Sequence, residues 1–159
     1  MASWQQRSGA AAVFLNPALL ATVQAASAAA YERESGGELM VWPLVTLTPS
    51  LVLHGPTRRA LPAAVSTHLS SWVARNPVLV ASLPQRVVSL APAVREGLRF
   101  GLRHGLLELQ EGRVRGTVRG VSRLEGELGE LVRKAQLVGR WTARTERPST
   151  VFALLGVRP

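Results

Sequence analysis

NPALLATVQAASAAAYERES, residues Asn16 to Ser35, carries its own start and stop signals. Asn16 can accept the first free amides of a helix and Pro17 is tolerated at its first position, so a helix is predicted from Pro17 to about Ser35. Gly36-Gly37 follows, two residues able to take the left-handed conformation that ends helices. Between these signals alanine is the commonest residue and there is no charge before Glu32. Such weak apolarity, with Gln24 inside it, fits a helix buried in a domain better than a membrane span.

Upstream, Arg7, the run Ala10 to Leu15 and the small residues around Ala28 imitate the three regions of a signal peptide, but the run is short and polar Asn16 follows it. Residues 1–15 are read as a flexible N-terminal extension, and a cytoplasmic location is expected. Downstream, Leu39 to Leu53 is apolar but broken by Pro43 and Pro49, which argues against a span. Periodicity leaves its identity open between helix and strand, and we read it as a helix kinked from Pro43. A short segment at Thr57 to Pro62 precedes a helix capped near Ser66 and carrying His68, Leu69, Trp72 and Val73; Asn76-Pro77 ends that helix and can start another.

Pro84 to His104 is helical in pattern, with Pro92 as a kink or a second start. Gly105 closes it, Leu106 to Leu109 makes a strand, Glu111-Gly112 a turn, and Val114 and Val118 alternate with arginines on a returning strand. Helix, glycine and hairpin together predict a mostly α chain with a small β-hairpin, a winged helix-turn-helix-like domain. Ser122 is expected to cap an amphipathic helix to about Ala143, and Pro148 to Leu155 a short last helix closed by Gly156. With 159 residues, residues 16–159 are read as one helical domain ending in an apolar tail.

Composition narrows the chemistry. There is no cysteine, hence no disulfide and no thiolate metal site. Lys134 is the only lysine and lies between Arg133 and Ala135, so no Gly-Lys-Ser/Thr phosphate loop exists. His54, His68 and His104 lack ligand spacing, and no Gly-x-Ser-x-Gly elbow is present. A non-enzymatic chain without cofactor is expected. Charge points to binding instead: the net charge is +9, with five basic and three acidic side chains in residues 1–85 but fourteen and seven in residues 86–159. Such a surface attracts nucleic acid or an acidic protein face.

Val94, Leu98 and Leu102 recur at intervals of four as an apolar stripe, and Arg95, Arg99 and Arg103 repeat the interval one residue on, as a basic ridge. Arg113, Arg115 and Arg119 share strand parity and are expected on one face of the hairpin. Both sets are candidate contacts for DNA or an acidic partner. Leu124, Leu128, Leu131, Ala135 and Val138 form a narrow seam suited either to the chain's own core or to a partner's groove, with Glu130 and Lys134 as a helical ion pair. Trp141, Phe152, Leu154 and Leu155 extend this candidate partner interface into the tail.

The chain also resembles a known family, the middle components of three-component ABC ATPase systems. The resemblance is carried in order by Asn16-Pro17, Trp42-Pro43-Leu44 through Pro49, His54 and Thr57-Arg58, Ser66-Thr67 to Trp72, Asn76-Pro77, Arg95-Glu96-Gly97-Leu98-Arg99-Phe100-Gly101-Leu102 with His104-Gly105, Lys134-Ala135, Gly139-Arg140-Trp141 and Leu154-Leu155-Gly156-Val157-Arg158-Pro159. It implies a non-catalytic subunit of a bacterial antiphage system of the Lamassu type, bridging an SMC-like or Rad50-like ABC ATPase and an effector. ATP and Mg would then sit on the ATPase, and DNA would be met through the complex. The alternative reading of the residues is a free DNA-binding winged-helix regulator.

Overall fold

The computed structural model describes residues 9–145 and 147–159. Gly9–Phe14 forms a short helix, α1, inside the expected extension; the flexibility expected of residues 1–8 concerns positions outside the described residues. Pro17–Glu34 forms α2 as read, with the Asn16 side chain accepting from the Ala18 amide at 2.8 Å. Gly36 and Gly37 take positive φ just beyond its end. From Leu20 to Tyr31 only Thr22 escapes burial. A helix without a polar face must be covered on all sides, and α2 is the centre of the molecule.

Its neighbours are α3 (Trp42–Val52), α7 (Leu83–Arg103), α8 (Gly126–Ala143) and the strand β3 (Arg113–Gly116). Two buried polar side chains within it find partners: Gln24 donates from Nε2 to the Val94 carbonyl at 3.3 Å, its Oε1 accepting no bond, and Ser27 bonds the Thr48 hydroxyl at 2.9 Å. Glycines bring the partners close. A Cβ at Gly97 of α7 would lie 2.5 Å from the Leu20 Cβ, and one at Gly139 of α8 would run into the Ser27 carbonyl oxygen. The expected stripe on α7 is therefore only half right. Val94 is buried and Leu98 half-buried, but Leu102 is exposed, because each step of four overshoots the helical period by about 40°. Ala93, Val94, Gly97 and Gly101 form the inner face instead.

The sheet is antiparallel in the order β1-β3-β2, where β1 is Met40–Val41 and β2 is Leu107–Gln110. Glu111 and Gly112 both have positive φ, the two-residue turn that suits a twisted hairpin. Leu109 faces Val114 and Leu107 faces Gly116. β1 was hidden in the sequence: two residues pair Met40 with Val114 and Val41 with Arg113 before α3 begins. A helix, a strand, further helices and a hairpin in this order are compatible with a winged helix.

The remaining helices are α4 (Gly55–Ala60), α5 (Leu69–Arg75), α6 (Pro77–Ala81) and α9 (Pro148–Leu155). Three boundaries differ from the sequence reading. α5 begins behind His68 rather than Ser66, and α7 runs through Pro92 unbroken. Ser122 lies in a 3-10 turn, Val121–Arg123, and α8 begins only at Gly126 with Glu125 as its N-cap residue. Glu130 does not pair with Lys134. It joins Glu127 around the buried guanidinium of Arg58, at 3.3 and 3.2 Å, while Lys134 donates to the Leu61 carbonyl. Arg58 also donates to the Val52 carbonyl at 2.8 Å, so one side chain fastens α3, α4 and α8.

Candidate functional site

The ridge on α7 exists: Arg95, Arg99 and Arg103 are all exposed and, among the described residues, make no hydrogen bond or ion pair. The hairpin arginines are placed differently. Arg113 and Arg115 do share the outer face of β3, but Arg113 donates to the Leu39 carbonyl at 3.0 Å. Arg115 pairs with Glu32 of α2 at 3.3 Å and with Glu108 across the hairpin at 3.9 Å. Arg115 thus ties the hairpin to α2, and Arg113 ties it to the segment that leads into β1. Arg119 is not on the strand, which ends at Gly116; it sits exposed in the following loop. Ridge and hairpin arginines thus differ in how free they are to meet a ligand.

The apolar candidates also separate. Leu131, Trp141, Phe152 and Leu155 are buried in this chain's own core, and Leu124 and Leu154 are half-buried against it. Leu128 is 42% exposed. The difference is set by position on α8 and α9: the inner face meets α2 and α5, whereas Leu128, on the same side of α8 as Leu131 and Val132, lies one turn earlier, in the first turn of the helix, where it lines an open groove.

Among the described residues, two of the open apolar grooves take in the candidate residues; another, lined by Phe14, Leu15, Leu53 and Leu90 with His54 and Arg86, does not. The first, of about 180 Å³, lies between α3, α7 and the chain after α9. Its floor includes Leu47, Val94, Leu98, Phe152 and Val157, and Trp42 stands at its rim, 47% exposed. The ionisable side chains lining it are Arg95 and Arg158. Three segments far apart in the sequence, Trp42-Pro43, Arg95 to Leu98, and Val157-Arg158-Pro159, converge here. Each of them also carried the resemblance, yet Trp42, Val157 and Arg158 were not singled out as site residues; the Trp-Pro pair and the apolar tail were the available signals. The second groove, of about 380 Å³, is formed by Leu19, Leu106, Val118, Arg119, Leu124 and Leu128 with neighbouring residues. It gathers three of the sequence-predicted residues from the hairpin loop and the start of α8. No residue lines both grooves.

A polar cluster joins α4 to α7. The Arg86 guanidinium donates to the Thr57 hydroxyl at 3.1 Å, and that hydroxyl lies 2.7 Å from His54 Nδ1, which also accepts from the Thr57 amide at 3.3 Å. Nδ1 must be unprotonated to accept. Burial, then the guanidiniums of Arg86 and Arg59, hold the imidazole below its ordinary value and favour that state. Burial likewise lowers the Arg86 value. Among the described residues, no group of three or more His, Cys, Asp or Glu side chains is placed to hold a metal ion, and no helix is long and apolar enough to cross a membrane.

Compared with known proteins, residues 4–159 match the family model of the ABC-three component (ABC-3C) system Middle Component 3. No curated protein and no solved structure matches the chain.

Proposed function

The chain belongs to the Middle Component 3 family of ABC-three component systems, and from that premise we propose that it is a non-catalytic adaptor joining the system's ATPase to its effector. In this reading the ATPase is SMC-like or Rad50-like and carries the ATP and Mg, the adaptor itself holds no cofactor, and the complex acts in the cytoplasm in antiphage defence of the Lamassu type. The observation that supports it best is the pair of apolar grooves with no lining residue in common, each with an exposed apolar side chain, Trp42 or Leu128, and an arginine at its edge. Bridging requires two such surfaces. Apolar area of this kind contributes about 25 cal/mol per Å² when a partner removes it from water. Co-expression with the other two components, followed by the mass of the purified complex, tests the reading. A species containing all three proteins, which falls apart into ATPase and effector when this chain is omitted, is the expected result. An ATPase and an effector that associate equally well without it would overturn the proposal.

The ridge of Arg95, Arg99 and Arg103 supports a second reading, a free DNA-binding winged-helix regulator, since three guanidiniums without internal partners can contact phosphates. Submicromolar, sequence-selective binding of duplex DNA by the chain alone would favour it over the adaptor.

A further inference from the structure

We infer that the groove between α3, α7 and the chain after α9 receives a short segment of another component of the system, one bearing one or two bulky apolar side chains next to glutamate or aspartate. This rests on the adaptor reading and adds to it which surface is used and what chemistry fits it.

Size excludes the other usual occupant. Pockets for small molecules run to about 300–1,000 Å³, and this groove offers about 180 Å³. That volume holds side chains from a docked segment, not a cofactor. The floor is apolar, with Leu47, Val94, Leu98, Phe152 and Val157, so the entering groups must be apolar as well. The edge gives the charge. Arg95 and Arg158 are exposed on the lining, neither has a hydrogen-bonding or ion-pairing partner among the described residues, and no acidic side chain lines the groove. A guanidinium presents forked donors that match a carboxylate, and complementary charge speeds encounter and sets register. Arg99 and Arg103 continue the ridge from Arg95 along α7, so acidic residues beyond the inserted segment meet further cations. An acidic and apolar segment satisfies floor and edge together. A basic segment would meet unpaired arginines, and a nucleic acid would leave the apolar floor uncovered.

The test uses the full chain in its complex. A photo-crosslinking residue is placed at Trp42, on the rim, and as a control at Val88, which is 74% exposed on α7 and does not line the groove. Crosslinking from position 42 and not from 88 to a partner peptide containing carboxylates beside bulky apolar residues is expected. Independently, Arg95→Glu with Arg158→Glu should weaken assembly at least about tenfold with an unchanged melting curve, and Glu→Arg in the crosslinked peptide should restore it. An original chain that assembles with neither component overturns the adaptor reading and this inference with it. A complex that forms normally, is untouched by the double reversal and gives no crosslink from position 42, or one to nucleic acid, overturns the groove assignment alone.

Discussion

Trp72 and Trp141 meet edge to face, their ring centroids 5.5 Å apart and their planes at 90°. Each indole N–H donates to a carbonyl: Trp72 to Ala60 at 2.7 Å and Trp141 to Thr67 at 2.6 Å. The pair therefore pins both ends of the connection between α4 and α5 against α8. Trp141→Ala should lose about 3–5 kcal/mol, the cost of emptying a large core site. Trp141→Phe keeps most of the ring but leaves the Thr67 carbonyl without its donor, and should lose about 1–3 kcal/mol. Urea unfolding followed by circular dichroism checks the order of the two.

Gly139 and Gly101 both lie on helix faces turned to the core, but they meet different obstacles. A Cβ at Gly139 would strike the Ser27 carbonyl oxygen, part of the α2 backbone, whereas at Gly101 the nearest atom is the Leu107 Cδ1 at 2.6 Å, the end of a side chain. Alanine gains about 1 kcal/mol of helix propensity at either site. Gly139→Ala should still be destabilised by about 3 kcal/mol or more as α2 and α8 are forced apart. Gly101→Ala should cost visibly less, since Leu107 can change rotamer. Equal melting temperatures for the two variants would contradict this.

The tail belongs to the core. Val151, Phe152, Leu155 and Val157 are buried, and each contributes about 1.5–3 kcal/mol on full burial. Deleting residues 148–159 should therefore lower the melting temperature sharply or prevent folding, with the newly bared faces of α5 and α3 promoting aggregation. A truncated chain with the original melting curve would show that these contacts carry no stability.

His54 makes the fold sensitive to acid. The unfolded chain takes up the imidazole proton near pH 6.5, and the folded chain only at lower pH, because burial and then Arg86 and Arg59 oppose the charge. Stability is thus full above about pH 6.5 and falls as the pH drops from there through the lowered folded value. His54→Asn keeps a cap acceptor for the Thr57 amide and should flatten this part of the stability profile while leaving stability at pH 8 close to the original.

DNA binding, where measured, should carry a bounded salt dependence. The ridge together with Arg119 supplies four guanidiniums without internal partners, so binding through these four should make log affinity fall with log salt with a slope of about 3.6, at about 0.9 per phosphate. Arg95→Ala/Arg99→Ala/Arg103→Ala should reduce that slope to about 1. A slope unchanged by the triple substitution would place the contacts elsewhere on the surface.

Several helix starts and stops and the hairpin turn were legible in advance, where they depend on residues a few positions apart, although the starts expected at Ser66 and Ser122 were not where the helices begin. Asn16-Pro17 opens α2, Glu111-Gly112 turns the hairpin, and Gly156 closes α9, each through local hydrogen bonds and backbone sterics. The composition of α2, too little charge and too much alanine for a surface helix, already placed it inside. Other features come only from segments distant in the chain meeting one another. Met40 and Val41 became a strand because β3 lay beside them, and Glu130 turned from Lys134 to Arg58 because that guanidinium reaches across from α4 to the first turns of α8. Trp141, Phe152 and Leu155 face inward while Leu128 and Trp42 do not. A residue's apolarity states that it must leave water but not whose surface removes it. That depends on which helix occupies the space beside it, and for this chain the small residues of α2, with Gly97 and Gly139 opposite, allowed α7 and α8 to come close enough to occupy it.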